Sequence, residues 1–127
     1  MKKYITFILA LTVALAACGG LPNVHNVPTR KITLQNITMR DAILQAGANK
    51  GWRMHEIKDG LIEASLSRRG HDVWVHIPYT QDSYAITYKD SNNMYYNAKK
   101  GTIHRKYNQW VLNLDLAITR AAMSHAQ

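Results

Sequence analysis

The 127-residue chain predicts an α+β fold: an antiparallel sheet of four to five strands with two helices packed on one face. Three observations carry that expectation. Four alternating apolar segments in the middle of the chain are separated by hairpin-length gaps, which forces antiparallel neighbours. An amphipathic segment near residue 40 and a longer one near the C-terminal end supply the helices. The composition, 46% hydrophobic and 19% charged, is that of a globular chain, and its length suits one domain, which excludes eightfold strand–helix barrels and two-domain enzymes.

Residues 1–17 read as processing information. Lys2 and Lys3 give a positive start, residues 4–14 are apolar apart from two threonines, and Leu15-Ala16-Ala17-Cys18 follows, the layout of a cleaved secretory signal peptide. The run is too short to span a bilayer comfortably. Leu-Ala-Ala-Cys resembles the lipobox of exported bacterial lipoproteins. The resemblance implies cleavage before Cys18, a diacylglyceryl thioether on its sulfur and an acyl chain on the new amine. It also implies the cell outer membrane, periplasmic or surface face, because Gly19 stands where an aspartate would mark inner-membrane retention. Cys18 is the one cysteine in the sequence, so no disulfide partner exists for it in an oxidising compartment. Acyl chains contribute roughly 0.8 kcal/mol per buried CH₂, and two or three of them anchor a protein without a spanning helix.

From 18 to 30 the chain reads as a lipidated N-terminus and flexible tether, because GGLPNVHNVPTR holds two glycines and two prolines and has no periodicity. The single domain is then expected over 31–127. Alternation predicts a strand over 31–35. Thr38 with Asp41 three residues on marks a helix start, Met39, Ala42, Ile43 and Ala46 share one face, and Gly51-Trp52 ends the helix. The segment ITLQNITMRDAILQAGANKGW faintly resembles the strand–helix–strand start of small periplasmic domains of secretins and TonB-dependent receptors. Strands follow over 52–57, 61–67, 72–78 and 83–89, then the polar loop DSNNMYYNAKKG. A helix over 104–123 closes the chain with Tyr107, Trp110, Val111, Leu114, Ile118 and Ala121 in one stripe. Leu112, Leu116 and Met123 project to the other side. They are either a contact surface for a partner helix or a second copy, or surface apolars of the ordinary kind covered by nothing or by a loop.

The chain carries 16 basic and 8 acidic residues; removing the leader takes away Lys2 and Lys3 and leaves 14 against 8, a net +6. Export excludes nucleic acid and leaves anionic lipid headgroups and acidic envelope polymers as counterparts. Lys99, Lys100, His104, Arg105 and Lys106 gather at the start of the last helix, where the backbone dipole already disfavours positive charge. Either an anion binds there or the cluster is a solvated basic loop.

Catalytic and metal chemistry find no pattern. His71 and His76 stand an odd number of positions apart and fall on opposite faces of a regular strand, His25 is in the expected tether and His125 near the end. H-E-x-x-H, C-x-x-C and G-x-S-x-G are all missing, and the acids are scattered singly. The expectation is a non-enzyme with no metal and no cofactor. The stretch Ile103-His104-Arg105-Lys106-Tyr107-Asn108-Gln109-Trp110 resembles a group of small bacterial envelope lipoproteins, a resemblance that implies no activity. The expected function is thus a membrane-anchored, non-catalytic protein-interaction module whose partner is an envelope protein or a second copy. The alternative is a lipoprotein that recognises an anionic glycan or lipid headgroup.

Overall fold

Apolar alternation in the middle of the chain builds the sheet. A computed structural model describes residues 20–123; the leader, Cys18, Gly19 and residues 124–127, His125 included, lie outside the described residues. β3 (Leu61–Arg68) and β4 (His71–Pro78) pair antiparallel, with Ile62 opposite Ile77, Ala64 opposite Val75 and Leu66 opposite Val73. All six side chains are buried. Arg69 and Gly70 link these strands with φ of 51° and 80°, the paired positive values of the hairpin turn whose twist matches the sheet. β2 (Arg53–Lys58) flanks β3, β5 (Ser83–Asn92) flanks β4, and β1 (Val27–Lys31) completes a five-stranded antiparallel sheet in the order β1-β5-β4-β3-β2.

Both helices cover the apolar face. In α1 (Met39–Asn49) the Thr38 hydroxyl accepts from the Asp41 amide at 3.1 Å, so one free helix-start N–H finds a partner. Gly51, at φ +82°, ends the helix, and Trp52 folds back to bury its ring and donate its amide to the Gly47 carbonyl at 2.9 Å. In α2 (Arg105–Met123), Tyr107, Val111, Leu114 and Ile118 are buried as the helical spacing predicts, and they join Met39, Ile43 and the sheet in one core.

Two expectations about the N-terminal part need correction. The first strand is Val27–Lys31 rather than 31–35, and the tether expected to reach residue 30 ends earlier, because the chain from Pro22 onward is docked. Val27 pairs with Ile86, Arg30 with Tyr84 and Lys31 with Ser83, with a register shift between Val27 and Arg30. Pro28, which argued against a strand, is tolerated because β1 is an edge and one side of its backbone needs no partner. Upstream, Asn108 holds the segment through its side chain, its amide nitrogen donating to the Asn23 carbonyl and its oxygen accepting from the His25 amide, both at 2.8 Å. β5 also runs on to Asn92, so the start of the expected polar loop is strand.

Asp115 is the acid that the helical stripe did not single out. It is buried on the sheet side of α2. The Tyr84 hydroxyl donates to its carboxylate, Arg30 Nη2 lies 3.2 Å from Oδ2, and Thr119 Oγ1 stands 3.1 Å from the tyrosine oxygen. This network ties β1, β5 and α2 together and satisfies a charge that would be costly to bury alone. Burial first, then the bond to Asp115, raises the Tyr84 phenol well above its ordinary range.

Candidate functional site

Two surfaces collect the residues singled out from the sequence. The first is the outer face of α2. Leu112, Leu116 and Met123 are 46%, 52% and 57% exposed, which places them off the stripe that packs on the sheet. At 100° per residue, Arg105, Gln109 and Arg120 fall on the same side, and all are exposed. The face therefore reads as an apolar centre flanked by two arginines, and Asp115, the only acid on the helix, points into the core.

The second surface is the end of the domain where β5 runs out and α2 begins. After Asn93, held in the left-handed region at φ 57°, the buried Met94 plugs the loop into the core and Tyr95 follows at φ 53°. A tyrosine in that conformation is strained, and it is left 67% exposed. Tyr96, also exposed, stacks on Tyr88 with centroids 4.2 Å apart, and Tyr88 meets the fully buried Tyr107 edge-on at 5.6 Å. Burial lifts the phenols of Tyr107 and Tyr88 above their ordinary range; the Tyr107 hydroxyl is buried and has no hydrogen-bond partner among the described residues.

A tight turn then presents the lysines. The Asn97 side-chain oxygen accepts from the amides of Lys99 and Lys100, both at 3.0 Å, and Asn97 bridges Thr102, which leaves the two lysines exposed at the tip. This asparagine turn is a local signal in the sequence that could have located the tip, since Asn side chains characteristically bond the backbone two residues on. Arg105 and Lys106 are exposed at the first turn of α2, and the His104 ring lies near those of Tyr95 and His71, with centroids 6.1 and 5.5 Å away.

The structure thus brings all five expected anion-site residues to one end, but it changes the site. His104 itself caps the helix: its Nδ1 accepts from the Lys106 amide at 3.1 Å and its carbonyl from the Tyr107 amide at 3.0 Å. Two of the helix-start donors expected to hold an anion are already occupied. What remains is a basic and aromatic surface rather than a pocket at the helix terminus.

Elsewhere the polar side chains are engaged with one another. His76 on the uncovered sheet face bonds Glu63 at 3.2 Å, and Lys89 reaches the same carboxylate. The lysine first, then the histidine, hold the Glu63 carboxyl below its ordinary range. Ser67 donates to Asp72 at 2.6 Å, while the neighbouring His71 turns its Nδ1 to the Asn93 carbonyl, also at 2.6 Å, so the three do not form a proton relay. Among the described residues no three His, Cys, Asp or Glu side chains converge as metal ligands, and no helix is long and apolar enough to cross a membrane. An open crevice of about 760 Å³ lies between the start of α1 and the β2–β3 turn, lined by Ile37, Met39, Gly60 and Tyr79 among others. Comparison of the chain with protein-family models, curated proteins and solved structures found no match in any of the three.

Proposed function

We propose that the protein is a cell-envelope lipoprotein, anchored at the outer membrane through lipid on Cys18, whose α+β domain is a non-catalytic docking module for another envelope protein. The outer face of α2 carries this reading: three large apolar side chains in register on a helix whose opposite side is already satisfied by the sheet. A patch of this kind fits an apolar stripe on a partner helix. The flanking Arg105 and Arg120 favour a partner with acidic flanks over a second copy, in which arginine would meet arginine.

Replacing Leu112 and Leu116 by glutamate removes the apolar centre and sets acid against acid. Crosslinking in native membranes should recover a stoichiometric partner with the wild type and none with the variant. Unfolding stability should change by no more than about 0.5 kcal/mol per site, as for other surface substitutions. Capture of the same partner by both chains, or a large loss of stability, would refute the assignment.

A second reading, recognition of an anionic glycan or lipid headgroup, is favoured by one observation: no acid occurs between Asp90 and Asp115, the stretch that contains the exposed tyrosines and the basic turn.

A further inference from the structure

Resting on the lipid anchor argued above, we propose that the end of the domain formed by residues 93–106 is the face laid against the membrane, and that its occupant is a bilayer surface bearing anionic headgroups. The first argument is where the chain enters the fold. The Pro22 carbonyl accepts from the Ile103 amide at 3.0 Å, the Val24 amide donates to the Gly101 carbonyl at 2.8 Å, and Asn23 bridges Thr102. The segment that leads from Cys18 is therefore clamped to the base of the lysine turn. Pro22 stands four positions after Cys18, and at no more than about 3.6 Å per step that span reaches roughly 14 Å. Lys99 and Lys100 lie three and two residues before Thr102, within about 11 Å of the clamp. A Cys18 lipid seated in the bilayer holds this turn at headgroup depth.

Charge supplies the second argument. Lys99, Lys100, Arg105 and Lys106 share this end with Arg68 and Arg69, because the β3–β4 turn is joined to it by the bond from the Asn93 side chain to the Gly70 carbonyl at 3.2 Å. Asp72 and Asp90 also lie near this end, so six cations stand there against two acids, whereas Asp59 and Asp82 sit in the turns at the opposite end of the sheet. The domain is polarised along the direction in which the anchor leaves it, positive end towards the lipid. Tyr95 and Tyr96 are the third argument: exposed phenols with an apolar body and a polar tip suit the headgroup region, and the strained backbone at Tyr95 holds one of them outward. Each lysine near an anionic surface contributes about a fivefold factor in binding.

The test uses the full chain, purified from cells in its lipidated form and reconstituted with phosphatidylcholine vesicles or with vesicles rich in phosphatidylglycerol. Flotation and amide hydrogen exchange are read together. The chain should float with both vesicles, while exchange over 94–106 slows at least tenfold on the anionic ones only; residues 58–60 at the opposite end should exchange alike on both. High salt, or the Lys99→Gln with Lys100→Gln variant, should remove the protection, the pair costing roughly thirtyfold in surface binding. Equal exchange on the two vesicles would overturn the inference and leave the anchor standing. Protection by soluble dextran sulfate matching that by vesicles would overturn the bilayer as the occupant. Failure to float with neutral vesicles, with a mass that shows no acyl chain, would instead sink the anchor; flotation with anionic vesicles alone would then uphold the basic face, and its absence would discard both.

Discussion

Tyr84→Phe tests whether the buried network around Asp115 holds the N-terminal strand in place. The ring is fully buried, and the substitution leaves its packing intact while removing one oxygen, so the measured effect isolates a polar interaction. Asp115 then loses the phenolic donor and keeps Arg30 at 3.2 Å. A hydrogen bond to a charged group contributes about 1.5–3 kcal/mol. The Arg30 side chain is 48% exposed and brings solvent to the carboxylate's far oxygen, which keeps the loss below the roughly 3–5 kcal/mol of a fully stranded buried charge. The expected cost is about 2 kcal/mol, a fall in Tm on the order of 8–15 °C for a domain of this size. Denaturant unfolding followed by tryptophan fluorescence should show a lower midpoint with an unchanged slope. The same substitution should also change the alkaline limb. The folded-state phenol is held above the ordinary value of 10.0, so its contribution is complete below pH 10 and is lost as pH climbs above it; Tyr84→Phe should make that decline shallower. A cost under about 0.5 kcal/mol, or an alkaline limb identical to that of the wild type, would refute the account of the network.

Two further outcomes follow from the same structure. Val27→Ala should cost about 2 kcal/mol in chemical denaturation, since it deletes two buried carbons from a strand docked on β5; an unchanged midpoint would mean that this segment is a free tether. Glu63→Gln should flatten the acid limb of the stability curve: the folded-state carboxyl is held below 4.5 by Lys89 and His76, so the stability it supplies is present above that value and lost as pH falls below it. Parallel acid limbs for wild type and variant between pH 5 and about pH 2 would show that the bridge contributes nothing.

Much of the fold was legible because it rests on local periods. Two-residue alternation in 61–67 and 72–78 chose the buried face of the sheet, short turns with Gly60 and Gly70 required antiparallel neighbours, and Thr38 and Gly51 bounded α1. The stripe through Tyr107 and Ile118 oriented α2, which in turn left Leu112, Leu116 and Met123 outside. Tertiary structure alone decided the rest. An edge strand that contains proline is a strand only because β5 offers it a free edge, a fact that no window around residues 27–31 contains. Asp115 breaks its apolar stripe because Arg30 and Tyr84, 85 and 31 positions away, arrive to satisfy it. The clamp of Asn108 on Asn23 and His25 has the same character: contacts of long sequence separation carry no periodic signature. For that reason the basic cluster could be seen in the sequence, while its placement beside the point where the chain enters the fold could not.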